Sequence, residues 1–247
     1  MVVDLNKVKY LFFVGSGRTG STLVGQILNN HPSCLIANEH RLMQKVINNK
    51  ESFLLEIKDL AGQAFKNYAR GLGENKRYQK DWKDADQIIP KDKIKIIGDK
   101  KQGGNVQMYR ENKSEFISLI ESIGEERTFF IQVVRNPEES IKSYQVSHGY
   151  DEEKSRSKVL DDSSLGHEII SKFKNGKSVF YEDLLEDTES FLIDLCDYLG
   201  LEHNKGWIEL TKRMINSDKK PNRSLRYKTN LEVFANYEKD YWWKNEF

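Results

Sequence analysis

Apolar residues along the chain fall into two kinds of run. Short continuous runs recur at Val8–Val14, Cys34–Ala37, Ile94–Ile97, Thr128–Val134 and Ser178–Tyr181, and these predict buried strands. Phe129-Phe-Ile-Gln-Val-Val134 is nearly continuous and rich in β-formers, as a central parallel strand requires. Between the runs, apolar residues at helical spacing predict helices within Leu54–Tyr68, Phe116–Ile123, Glu138–Val146, Phe191–Leu199 and Leu231–Trp243. Strands alternating with helices predict an α/β fold, a P-loop-like parallel β-sheet flanked by helices on both faces. Gly71–Pro90 and Tyr150–Ser164 lack strong periodicity, and the second reads as a plain solvated insertion. With no repeat and no low-complexity linker, residues 1–247 read as a single domain.

Composition narrows the function classes. Lys and Arg number 39 against 38 Asp and Glu, so the chain is not built to coat nucleic acid or an anionic membrane. Cys34 and Cys196 each lie in an apolar stretch and read as core thiols, not as a disulfide framework. Met1–Lys9 is too short and polar for a signal peptide, and no apolar run approaches the ~20 residues of a membrane span. The expectation is a soluble cytoplasmic protein.

Candidate chemistry concentrates in Gly15-Ser-Gly-Arg-Thr-Gly-Ser-Thr22, between the first strand and an apolar helical stretch. Glycines at a strand-to-helix turn let backbone N–H groups and the helix dipole hold a phosphate. Ser21 stands where a nucleotide triphosphatase carries its lysine, and Arg18 is the nearest cation. No carboxylate is placed to suggest a magnesium partner, so no metal is expected. A second cluster follows the strongest strand: Arg135-Asn-Pro137, then Ser140 and Ser143-Tyr144. Asn136 suits a helix N-cap and Pro137 the first helical position. Arg135 at a strand's carboxyl end and Ser143 about two helical turns on are placed to share one anion.

These two motifs together resemble the sulfotransferase superfamily that uses 3′-phosphoadenosine-5′-phosphosulfate (PAPS). The motif spacing is most like the tyrosylprotein and bacterial branch. His31-Pro32 and Val179-Phe-Tyr-Glu-Asp-Leu184 are further family habits, and the likeness runs from about Lys7 to Leu201. It implies that Ser16, Gly17, Arg18, Thr19, Gly20, Ser21 and Thr22 hold the 5′-phosphosulfate. It also implies that Arg135 and Ser143 bind the 3′-phosphate, that Tyr181 lies near the adenine, and that Lys228 in a late basic stretch closes over the nucleotide. Glu39 takes the place of the catalytic base, with His40 as its rival. Lys100 matches the lysine of a Gly-x-Lys-x-Pro motif and would steady the leaving oxygen, with Arg18 as a further cation at the reacting group. Gln102 replaces the proline of that motif, and Lys101 reads as a solvated lysine.

The resemblance implies transfer of a sulfuryl group to a small-molecule, carbohydrate or peptide hydroxyl, with PAP as the second product. It implies no nucleic acid, no membrane span and no metal. A P-loop small-molecule kinase and a non-catalytic PAP-binding protein are the alternatives.

Overall fold

The computed structural model describes residues 5, 7–69 and 93–217. Strands β1 (Lys9–Val14), β2 (Cys34–Asn38), β3 (Ile96–Lys100), β4 (Thr128–Val134) and β5 (Gly176–Phe180) form one sheet in the order β2-β3-β1-β4-β5. Every pairing is parallel. Helices α1 (Ser21–Asn30), α2 (Leu42–Asn48), α3 (Phe53–Ala69), α4 (Gln102–Glu111) and α5 (Lys113–Ile123) lie before β4 in the chain. Helices α6 (Pro137–His148), α7 (Glu152–Lys172), α8 (Tyr181–Glu186), α9 (Thr188–Leu199) and α10 (Lys205–Ser217) follow it.

Side-chain alternation along β1 divides the core in two. Tyr10, Phe12 and Val14 face one apolar cluster with residues of α2, α3, α4, α5 and α7. Leu11 and Phe13 face the other, with α1, α8, α9 and α10. Burial on both faces explains why the strands read as continuous apolar runs. Every residue of β4 is buried, as its composition predicts.

The structure corrects several sequence expectations. The apolar run predicts a third strand at Ile94–Ile97, but the strand begins at Ile96 and continues through Gly98, Asp99 and Lys100. Its backbone is held on both sides, Gly98 and Asp99 opposite Leu11 and Phe12 of β1 and Ile36 and Ala37 of β2; ladder bonding is indifferent to side-chain polarity. The last strand is Gly176–Phe180, and Tyr181 already begins α8. Tyr150–Ser164 is no solvated insertion: most of it lies in the long helix α7, capped by the Asp151 carboxylate accepting from the Lys154 N–H at 2.8 Å. The buried stripe of α7 is Ser155, Val159, Asp162, Gly166 and Ile169. The stripe has helical spacing, but three of its members are not apolar, so hydropathy alone hides it. Asp162 is fully buried and balanced by Arg110 at 3.0 Å and Lys158 at 2.6 Å. The predicted helix Leu231–Trp243, the stretch Gly71–Pro90 and Lys228 lie outside the described residues.

Helix α10 is pinned to α1 through Trp207. Its ring is fully buried, and its Nε1–H donates to the Ile27 carbonyl at 2.9 Å. It packs edge-on against His31, with ring centroids 4.8 Å apart. The expected cost of Trp207→Ala is about 3–5 kcal/mol from the cavity and the lost bond, measured by chemical denaturation. A loss below 1 kcal/mol would show that α10 does not brace α1.

Candidate active site

An all-parallel sheet sends every strand's carboxyl end to the same edge. The turn Gly15–Gly20 follows β1, Glu39 follows β2, Lys100 ends β3, Arg135 follows β4 and Tyr181 follows β5. The sequence-predicted groups therefore gather along one edge, where open α/β sheets bind ligands. Because β1 pairs with both β3 and β4, its glycine turn lies between Lys100 and Arg135.

The turn is built to face an anion. Gly20, at φ +93°, caps α1 without a side chain, so Ser21 and Thr22 present the helix's first N–H groups, which have no intrahelical acceptor. A Cβ on Gly20 would overlap the Tyr181 ring, so the turn and α8 fit together only with glycine here. The Arg135 guanidinium lies 5.2 Å from the centroid of that ring. Arg18 is exposed, at φ +65°. Its Nε–H donates to Ser143 Oγ at 3.0 Å, and Arg135 Nη1–H donates to the Arg18 carbonyl at 3.5 Å. Arg18, Arg135, Ser143 and Tyr181 thus form one group across the ends of β1, β4 and β5. Asn136 caps α6 as predicted, accepting from Glu138 N–H at 2.9 Å and Glu139 N–H at 3.3 Å.

On the other side of the turn, Lys100 Nζ lies 2.6 Å from Glu39 Oε1. Lys101 Nζ donates to Glu39 Oε2, which corrects its reading as a solvated lysine. Burial pushes the Glu39 carboxyl up, but the paired ammoniums outweigh this and hold it below the usual carboxylate range. Glu39 sits at φ +62°, in a turn tied down from beneath. The buried Asp99 carboxylate accepts from His40 N–H at 3.1 Å and Leu42 N–H at 2.8 Å. Burial raises the Asp99 carboxyl, and those N–H groups counter it.

His40 has ring partners other than Lys100. Its side chain is 3% exposed, with Nδ1 at 2.9 Å from Gln63 Oε1 and Nε2 at 2.9 Å from Glu56 Oε2. His40, Glu56 and Asp59 place ligand-type atoms within 4.8 Å of one another. The Lys45 ammonium already sits there, 2.7 Å from Glu56 and 3.9 Å from Asp59. The group joins one ammonium, one imidazole and two carboxylates in a single charge network.

Several residues support the turn through contacts that the sequence does not announce, and Asn105 is one it did not mark at all. Gln102 departs from the family's proline, yet its amide nitrogen donates to Thr19 Oγ1 at 3.2 Å and to the Val133 carbonyl at 3.2 Å. Asn105 donates to the Phe13 carbonyl at 2.9 Å. Glu182, within the Tyr-Glu-Asp-Leu stretch, accepts from the Asn136 N–H at 2.9 Å. Tyr144 is buried against Gly17, and burial raises its hydroxyl pKa. These are isolated polar residues, recognisable only once the elements are assembled.

The profile of the Sulfotransferase family matches residues 11–205. Among solved structures, the sulfotransferase domain from the curacin biosynthetic pathway is 17% identical over 81% of this chain and 76% of that chain, with a TM-score of 0.48. Sulfotransferase STF9 from Mycobacterium avium is 10% identical over 87% of this chain and 69% of that chain, also with a TM-score of 0.48. No curated protein matches.

The Glu39 pairing has a pH signature. A carboxyl held low in the folded state adds stability above its unfolded pKa, about 4.3, and loses it as pH falls through the folded value. The side chain is 41% exposed, so screening limits the gain to about 1 kcal/mol or less. Wild type is expected to exceed Glu39→Gln in stability at pH 7, with the gap closing below about pH 4.3. Urea denaturation from pH 7 to pH 3 measures it; a gap that does not change across that range counts against the pairing.

Proposed function

The chain belongs to the sulfotransferase family, and from that premise we propose that it moves a sulfuryl group from PAPS to an acceptor hydroxyl, releasing PAP. The observation that carries this reading is the group that joins the glycine turn to the end of β4: Arg18 bonded to Ser143 at 3.0 Å, with Arg135 reaching the Arg18 carbonyl. A donor with a phosphosulfate at one end and a 3′-phosphate at the other needs two anion sites on one rigid edge. The turn residues Ser16–Thr22 suit the first, with backbone N–H groups, hydroxyls and the Arg18 guanidinium. Arg135 and Ser143 suit the second, and the Tyr181 ring offers a face for the adenine.

The chemistry needs a base and a cation at the leaving oxygen. Glu39 is ionised at neutral pH, and its paired lysines hold the carboxyl below the usual range. A donor that draws Lys100 away relieves part of that hold and strengthens the carboxylate as a base, which then takes the acceptor's proton while the oxygen attacks sulfur in line. Lys100, at the end of β3 beside the turn, would steady the negative charge that grows on the bridging oxygen. The same edge without a lysine in the Ser21 position disfavours an ATP-dependent kinase. Cytoplasmic location and the absence of a metal requirement are parts of this reading. No helix among the described residues is long and apolar enough to cross a membrane.

Arg135→Ala is expected to lose at least ~10-fold in PAP affinity by calorimetry, because a charge-assisted bond to phosphate is worth about 1.5–3 kcal/mol. Labelled sulfate is expected to pass from PAPS to a hydroxyl acceptor with wild-type protein. Unchanged PAP affinity in Arg135→Ala, or magnesium-dependent ATP binding without PAP binding, would refute the assignment.

A further inference from the structure

Adjacent lysines at a helix start ordinarily extend into solvent. Lys100 and Lys101 instead lie folded against glycines on two different helices. The Lys100 stem crosses Gly25 of α1, where an added Cβ would stand 3.1 Å from Lys100 Cγ. The Lys101 stem crosses Gly104 in the first turn of α4, where an added Cβ would stand 2.6 Å from Cγ and 2.9 Å from Cε. From these two seats the ammoniums take separate oxygens of Glu39, Lys100 on Oε1 and Lys101 on Oε2.

We propose that Lys101 is a positioning residue that holds Glu39 Oε2 through turnover, leaving Lys100 to serve the donor and Oε1 to receive the acceptor's proton. This rests on the sulfotransfer reading above. The seats distinguish the two lysines. Gly25 belongs to the helix that the phosphate turn runs into, so Lys100 lies on the donor's side. Lys101 is turned across Gly104, with its ammonium at Oε2. An incoming phosphosulfate competes with Glu39 for Lys100. Were Lys100 the sole counter-charge, donor binding would leave the Glu39 carboxylate without a paired cation, and its carboxyl would rise. Lys101 prevents that. The step then balances: the acceptor O–H proton passes to Oε1, the acceptor oxygen bonds to sulfur, and the sulfur–oxygen bond to the donor phosphate breaks, its electron pair leaving with PAP. The charged groups around Glu39 are Lys100 and Lys101, with the Asp99 carboxyl behind the turn acting in the opposite sense.

Lys101→Met keeps a similar stem and removes the charge. Its PAP affinity is expected to match wild type, while the acid limb of kcat against pH moves up by about one unit. The 13C-carboxyl signal of Glu39, followed in the protein without ligand, is expected to titrate higher by a similar amount. Gly104→Ala keeps the lysine but displaces its stem. It should move both readouts in the same direction while Tm holds or rises, since alanine favours a helix over glycine, and it decides the matter if Lys101→Met does not fold. A purely structural lysine would lower Tm and leave the pH profile in place. An unmoved acid limb together with an unmoved Glu39 titration overturns the proposal. The carboxyl titration needs no turnover, so absence of sulfate transfer by wild type would refute the reaction while the hold of Lys101 on Glu39 is still decided.

Discussion

The placement of β1 between β3 and β4 is the constraint on which the rest of the site depends. Parallel pairing on both sides fixes its register against Ile96–Asp99 and against Thr128–Gln132. The turn that follows β1 then has no freedom to choose its neighbours: Lys100 must end on one side of it and Arg135 must begin on the other. A one-residue slip of β1 would also turn Tyr10, Phe12 and Val14 out of one core cluster and into the other. The large rings on those faces make such a slip costly, so core packing sets the geometry of the polar edge.

That edge is supported by buried amides rather than by apolar contact. Gln102, Asn105 and Gln132 are nearly inaccessible, and each spends its nitrogen on a carbonyl: Val133, Phe13 and Ser163, respectively. Buried amides are tolerated only when bonded. Once bonded, they tie the glycine turn, β4, α4 and α7 into one unit at specified distances, which non-directional packing does not do. Gln102 illustrates the trade. A proline at the first position of α4 would suit the helix, but it could not reach Thr19.

The sequence revealed what depends on local pattern. Buried strands, the glycine turn and the Asn136-Pro137 helix start were all legible, because each is encoded by neighbouring residues. So was the edge that gathers Arg18, Glu39, Lys100 and Arg135, since alternation of strand and helix implies a parallel sheet. What stayed hidden depends on tertiary context. Helix α7 buries Ser155, Asp162 and Gly166, and hydropathy counts such residues as solvated. Asp99 looks like a surface carboxylate between Gly98 and Lys100 until β1 and β2 enclose it and the N–H groups of His40 and Leu42 supply its partners. Lys101 differs from any exposed lysine only through Gly104, three residues on, and Glu39, which reaches it across the sheet.

The strand order also separates binding from chemistry. Arg135, Ser143 and Tyr181 belong to the β4–β5 side of the turn, whereas Glu39, Lys100 and Lys101 belong to the β2–β3 side. The turn, α1 and Gln102 of α4 are common to both, through Arg18 bonded to Ser143 on one flank, Gly25 beneath the Lys100 stem on the other, and Gln102 bonded to Thr19 and to the Val133 carbonyl. On the proposed reading, the nucleotide is held on one half of the sheet and the proton moves on the other. Changes at Arg135 or Ser143 should then alter donor affinity with the base intact, changes at Glu39 or Lys101 should alter turnover with affinity intact, and Lys100, which faces both, should alter the two together. Gly25 is one place where the two halves meet. A side chain there would press on Lys100 from the helix that carries the turn, coupling donor contact and leaving-group contact that the sheet otherwise keeps apart.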